Sequence, residues 1–317
     1  MKLHYAVNGL GNAGDTVLVA ATRKIIGGQF QGERLDLPAK AEYINQFDGI
    51  VIGGGGLFIR DTKPGVSGWR WNISIDELKK IKVPIIVFAI GYNRFRDQAD
   101  FDPVFSEHVK VLIEKASFFS MRDKCAPEQM RPYVSDLVNK IIYQPCPASL
   151  LSHFYPIDIK PEKTLVFSPA MDRPELRKMN KDAIIKALNY AKDKGWKVQV
   201  VGHIQMDSDF KSNFEFIDLH KKPAEYIMDF YSKVGMTIGM RLHSAIIPFG
   251  LGLPIAPIIS HDKIKYFLDD VRHPEWAVEM ESPDLTDHLI NRIDDPTVDR
   301  WAALDLLELT ARNIHGL

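Results

Sequence analysis

Short apolar runs rich in branched residues alternate along the chain with longer stretches of helical periodicity, the pattern of parallel sheets built from strand-helix-strand units. Strands are predicted over LHYAV (3–7), DGIVIG (48–53), PIIVFAI (84–90), SFFSM (117–121) and IIY (141–143). Helical patterns over VLVAATRKII, SIDELKKI and FSEHVKVLIEKA fall between them. A second series places strands over TLVFSP (164–169), WKVQVVG (196–202), VGMTIGM (234–240) and PIAPII (254–259). Its helices are KDAIIKALNYAKDKG, PAEYIMDFYSK, SAIIPFGLG and DKIKYFLDDV, with Gly195 where a C-terminal cap belongs. The proline-rich stretch QPCPASLLSHFYPIDIKPEK between the two series reads as an interdomain linker, which gives domains over 1–160 and 161–317. The tail WAALDLLELTARNIHGL reads as an amphipathic terminal helix able to pack back on the first domain. The expected class is therefore α/β with two Rossmann-like domains. In open parallel sheets ligands bind beyond the carboxyl ends of the strands, so functional residues should stand just after strands.

Composition narrows the function classes. At 317 residues the chain exceeds the size at which single cores stop growing, consistent with two domains. Hydrophobic residues make up 45%, charged residues 26%, and the net charge is −1, so no basic excess points to nucleic acid. Cys125 and Cys146 are too few for a disulfide framework and lack the paired spacing of a zinc site, and no metal is assigned. The start MKLHYAVNG lacks a long apolar leader region, and no run of about 18 apolar residues occurs. The expected location is cytoplasmic, with a peripheral place at the inner face of the membrane left open.

The glycine turn Gly9-Leu10-Gly11-Asn12-Ala13-Gly14 fits the dinucleotide-binding pattern, and the acidic Asp36 lies 22 positions past Gly14. Asp15 counts against that reading, because a carboxylate at a helix start competes with a pyrophosphate for the positive end of the dipole. A plain alternative is that Asn12 or Asp15 caps the helix and the glycines make a tight turn. Gly54, Gly55 and Gly56 follow the strand DGIVIG and imply close backbone approach at its carboxyl edge. IGYNRF sets Tyr92 and Asn93 after another strand, and SMRD sets Arg122 and Asp123 after a third.

The densest constellation is VGMTIGMRLHSAIIPFGLGLPIAPIISHDKIKYFLDDV, residues 234–271. A strand runs into Arg241, Leu242 and His243, so a guanidinium and a group titrating near neutrality meet at a helix start. Lys263 opens the next helix after another strand. His203 and His261, each after a strand, are weaker pocket candidates, and the remaining histidines singled out read as surface or packing residues.

These blocks together resemble the polysaccharide pyruvyl transferase family: GNAGD (11–15), DGIVIGGGGLF (48–58), FAIGYN (88–93), SMRD (120–123) and GMRLHSAIIPFGLGLPIAPIISHDK (239–263). The order and spacing of five blocks are far more specific than any one. The resemblance implies a GT-B-like architecture, two Rossmann-like domains facing across a cleft, and transfer of the enolpyruvyl carbons of phosphoenolpyruvate to sugar hydroxyls as a pyruvate ketal. It implies donor recognition by Arg122, Arg241, His243 and Lys263, to which Leu242 is added at the same helix start; for the chemistry, His243 is the expected general acid and Asp15 the expected base for the acceptor hydroxyl. Asn12, Gly14, Asp15, Gly54, Gly55, Gly56, Tyr92 and Asn93 would line the acceptor side. No cofactor is implied, phosphoenolpyruvate being a substrate. The acceptor is a saccharide, free, polymeric or lipid-linked, and a homo-oligomer stays open. One departure is Thr16, where the family often carries an acidic residue after GNxGD. Two other classes fit the same blocks less well: a nucleotide-sugar glycosyltransferase of GT-B architecture and a non-catalytic sugar-binding protein.

Overall fold

The computed structural model describes residues 1–7, 11–60, 62–95 and 98–315. Two compact units emerge, Met1–Asn8, Leu18–Pro147 and Leu309–Leu317 forming the first, Gly9–Val17 and Ala148–Glu308 the second. The division departs from a cut near residue 160, the main boundary falling between Pro147 and Ala148. The start of the helix Ala13–Ile26 counts with the second unit, and the end of the helix Arg300–Ile314 counts with the first.

The first unit holds a parallel sheet of β1 (Lys2–Ala6), β2 (Phe30–Arg34), β3 (Ile50–Gly53), β4 (Ile85–Ile90), β5 (Phe118–Met121) and β6 (Ile142–Tyr143), in the order β2-β1-β3-β4-β5-β6. Strands β3 and β4 are buried along their whole length, as continuous apolar runs between helical layers must be. Phe58, Trp69, Trp71 and Phe105 anchor the core around them. Helix starts follow the sequence closely: Ser74 accepts from the Glu77 amide to cap Ile75–Lys80, and Asp102 accepts from the Val104 amide ahead of Pro103–Lys115.

The second unit repeats the design with β7 (Thr164–Ser168), β8 (Lys197–Gly202), β9 (Glu215–Asp218), β10 (Met236–Gly239), β11 (Ile255–Ile259) and β12 (Val278–Glu279), in the order β12-β11-β10-β7-β8-β9. Counted from β7, this is the order of a doubly wound dinucleotide-binding domain, with the direction of winding reversing between β7 and β10. The loops after those two strands are where such a sheet offers a crevice.

The proline-rich stretch is not a loose linker along its whole length. Residues 144–151 are buried, with helical turns over Pro147–Leu150 and Leu151–Phe154. Gln144 donates to the Thr310 hydroxyl (2.8 Å), and Asn313 donates to the Tyr143 carbonyl (2.9 Å), so the terminal helix is fastened to the edge of the first sheet. Among the described residues no helix is long and apolar enough to cross a membrane.

Candidate active site

In the second unit the candidate residues stand on the loops after β7, β8, β10 and β11, at the carboxyl edge of the sheet. Arg241 stands at the N-cap of the helix Leu242–Gly250 in extended conformation, so its side chain leaves the helix while Leu242 and His243 open the first turn. Leu242 is buried, and its backbone N–H belongs to the open first turn of that helix. Arg241 donates from Nε and Nη2 to the two oxygens of Asp207 (2.9 and 2.6 Å) and from Nη2 to Asp172 (2.8 Å). Burial lowers the Arg241 pKa, but the hydrogen bonds and charges of Asp207 and Asp172 outweigh it and hold the group above the ordinary guanidinium value. Three of its five N–H donors are spent, and the two on Nη1 have no partner among the described residues.

His243 lies against the glycine turn. A Cβ placed on Gly14 would stand 2.2 Å from His243 Nδ1, so only glycine lets the imidazole sit there. Asp15 Oδ1 is 3.9 Å from the same nitrogen, both side chains being mostly buried. Asn12 caps the helix, accepting from the Gly14 amide (2.9 Å) through its side chain and from the Thr16 amide (3.0 Å) through its carbonyl. The turn is tied further by the Ala13 amide, which donates to the His203 carbonyl (2.9 Å). Asp15, Gly14 and His243 therefore form one cluster, and the glycine turn has a structural reason that needs no dinucleotide. Gly9 and Leu10 lie outside the described residues.

Lys263 follows β11, the neighbour of β10, in the first turn of the helix Asp262–Asp270, whose cap is His261 accepting from the Lys263 amide (3.1 Å). That bond fixes the neutral His261 tautomer with its proton on Nε2. His203 is fully buried, bonded through Nε2 to the Tyr231 hydroxyl (2.6 Å). Burial, with the Arg241 charge, pushes its pKa down to about 3, so it stays neutral and serves the frame. Asp207 and Asp172 escaped the sequence reading. Their only signal there was a position shortly after a predicted strand, shared with many surface carboxylates.

In the first unit the loops after β3 and β4 pair with each other. Gly91 donates to the Gly55 carbonyl (3.0 Å), Phe58 to Gly91 (3.2 Å) and Asn93 to Phe58 (2.9 Å), so Gly54, Gly55, Gly56, Tyr92 and Asn93 come together. Gly54 and Gly55 have φ of 88° and 157°, and the Asn93 side chain packs on Gly56. A bulge in β4 puts Ala89 at φ 49°, its amide donating to the Ser120 hydroxyl (2.9 Å). Arg122, 3% exposed, lays its guanidinium over Gly91, where a Cβ would stand 2.6 Å from Cζ. Its Nε lies 3.7 Å from Asp123, and neither Nε nor Nη1 has a hydrogen-bond partner among the described residues. A buried guanidinium with unspent donors is rare in a finished core and suits an incoming anion.

Two six-stranded parallel sheets of this build define the class as GT-B-like α/β. Solved structures agree at the level of fold: S. aureus MnaA, solved with UDP (10% identity, covering 100% of this chain and 97% of that one, TM-score 0.52), and the Methanocaldococcus jannaschii UDP-GlcNAc 2-epimerase, solved with UDP-GlcNAc and UDP (10%, 98% and 100%, 0.51). An uncharacterized Klebsiella pneumoniae protein is similar to the same degree (15%, 89% and 93%, 0.51). No curated protein matches the chain by sequence. The polysaccharide pyruvyl transferase family model matches residues 12–262, and the chain belongs to that family. The match opens at Asn12 and closes at Asp262, one position before Lys263.

Proposed function

We propose that the protein transfers the enolpyruvyl group of phosphoenolpyruvate to two hydroxyls of a saccharide, releasing phosphate and leaving a pyruvate ketal. The observation that carries this reading is the cluster of the second unit. A histidine is seated on Gly14 beside Asp15, and two residues before it an arginine keeps two N–H donors unspent at the winding switch of a parallel sheet. Family membership supports the reaction class.

The donor carries a carboxylate and a phosphate on C2. Arg241 through Nη1, the opening amides of the helix Leu242–Gly250 and Lys263 are the groups proposed to recognise those anions. His243 delivers a proton to C3, which makes C2 electrophilic. A saccharide hydroxyl adds to C2 and gives up its proton, with Asp15 as acceptor. The C2–O bond to phosphate then breaks, the electron pair leaving with phosphate, and a second hydroxyl closes the ketal and releases its proton. Asp15 is near enough to His243 to stabilise its protonated form and restore it between cycles.

A nucleotide-sugar transferase is the second reading. UDP accompanies the structural neighbours, and at about one residue in ten identical that likeness is one of fold. The test is phosphate release from phosphoenolpyruvate in the presence of pooled saccharide acceptors, with ketal carbons followed by ¹³C NMR from labelled donor. Acceptor-dependent release with a new ketal resonance supports the proposal. Turnover of UDP-sugars with phosphoenolpyruvate untouched would replace it.

A further inference from the structure

Asp207 lies in no sequence block of the family resemblance, yet it ties together three loops at the carboxyl edge of the second unit's sheet. It is fully buried and accepts five hydrogen bonds: from the amides of His203 (2.9 Å), Ile204 (3.1 Å) and Met171 (3.4 Å), and from Nε (2.9 Å) and Nη2 (2.6 Å) of Arg241. Those donors come from the loops after β7, β8 and β10, which are adjacent in the sheet and include both sides of the winding switch. A carboxylate without water is expensive, and this one is retained where a neutral side chain would serve a plain turn.

The geometry gives the charge a purpose. The guanidinium is planar, so gripping Nε and Nη2 along one edge fixes the plane and leaves Nη1 as the edge that faces a ligand. The same grip holds the N-cap residue of the helix that carries His243 two positions on. Asp172 differs: it touches Nη2 alone, and its side chain is 28% exposed.

We infer that Asp207 is the positioning residue for Arg241, holding its guanidinium so that Nη1 is presented to the anionic donor. This rests on the proposed use of phosphoenolpyruvate, and the test separates the two. Calorimetric titration with phosphoenolpyruvate would compare wild type, Asp207→Asn, Arg241→Ala and the double variant, with steady-state kinetics alongside. ¹⁵N NMR would follow the Arg241 Nε–H without ligand. Asp207→Asn is expected to weaken binding about tenfold or more, to raise KM more than it lowers kcat, and to add nothing once Arg241 is alanine. The Arg241 Nε–H should be sharp and slowly exchanging in wild type and lost from that position in Asp207→Asn. An equal loss of affinity with and without Arg241, or an Arg241 signal unchanged by Asp207→Asn, would overturn the inference. Should wild type ignore phosphoenolpyruvate, the donor assignment falls, and the NMR comparison still decides whether Asp207 holds Arg241. Should Asp207→Asn fail to fold, the wild-type spectrum decides: a fast-exchanging, averaged Arg241 Nε–H contradicts the grip.

Discussion

The two carboxyl edges each present an arginine directly after a parallel strand, and the two arginines are used in opposite ways. Arg241 is tied to two carboxylates, with one edge of its guanidinium committed to Asp207. Arg122 is more deeply buried, rests on Gly91, lies 3.7 Å from Asp123 through Nε, and makes no hydrogen bond from Nε or Nη1 among the described residues. A committed guanidinium costs little to keep in place and offers a ligand a fixed edge. An uncommitted one stores a desolvation penalty that an arriving anion removes. The contrast separates orientation in the second unit from raw anion affinity in the first.

The largest expected effect breaks the chemistry while leaving the anion sites intact. His243→Ala should lower the transfer rate by about 10²- to 10⁴-fold with phosphoenolpyruvate affinity nearly kept, as read from single-turnover phosphate release and calorimetry. Arg122→Ala should act on anion affinity in the first unit instead, weakening the binding of inorganic phosphate by roughly ten- to a hundredfold, since charge-assisted hydrogen bonds contribute about 1.5–3 kcal/mol. Phosphate binding unchanged by Arg122→Ala would remove Arg122 from anion recognition.

The glycines sharpen the same contrast. Gly14→Ala drives a methyl into the His243 ring and Gly91→Ala into the Arg122 guanidinium, so the first should cost turnover and the second anion affinity in the first unit, each with about 1–3 kcal/mol of overpacking. Gly11→Ala, in the same turn as Gly14 but with nothing within 4 Å of its Cβ position, should change neither. Equal behaviour of Gly11→Ala and Gly14→Ala would mean that the turn, not the imidazole, requires glycine.

Acid tests the frames of both units together. His4 and His203 are held down to about 3 and His108 to about 4, burial being the main cause in each, against 6.5 in the open chain. Below pH 6.5 the unfolded chain takes up protons that the folded one refuses. Stability is therefore complete above about pH 6.5 and is lost progressively as pH falls towards 3. Melting temperatures measured across that range should decline, and His203→Gln should flatten the decline. The smallest effect is a control: Asn180→Ala removes the cap on Lys181–Asp193 and should cost about 1 kcal/mol of stability with donor affinity unchanged.

Much of this was legible in the sequence, and the missing parts share a cause. Eight of the nine predicted strands correspond to buried ones, where apolar runs leave no alternative, and the ninth is the short edge strand Ile142–Tyr143, marked by its apolar run IIY. The strands Phe30–Arg34, Glu215–Asp218 and Val278–Glu279 went unread because they are edge strands, polar or only two residues long. The nearness of His243 to the glycine turn was not readable, because contact between residues 14 and 243 is a property of the folded sheet. Asn12 as a helix cap was readable, because capping is local. Asp207 was invisible for the opposite reason: its partner lies 34 positions away, and pairing at that distance leaves no mark on either residue's neighbours. The bulge at Ala89 was hidden too, since an alanine at φ 49° is held by Ser120 from another strand.

The most direct test of the whole account is calorimetric titration of the wild-type protein with phosphoenolpyruvate and, separately, with UDP. Saturable binding of phosphoenolpyruvate, weakened in Arg241→Ala, with no heat from UDP, is the expected result. Binding of UDP with indifference to phosphoenolpyruvate would contradict it and assign the fold to nucleotide-sugar chemistry.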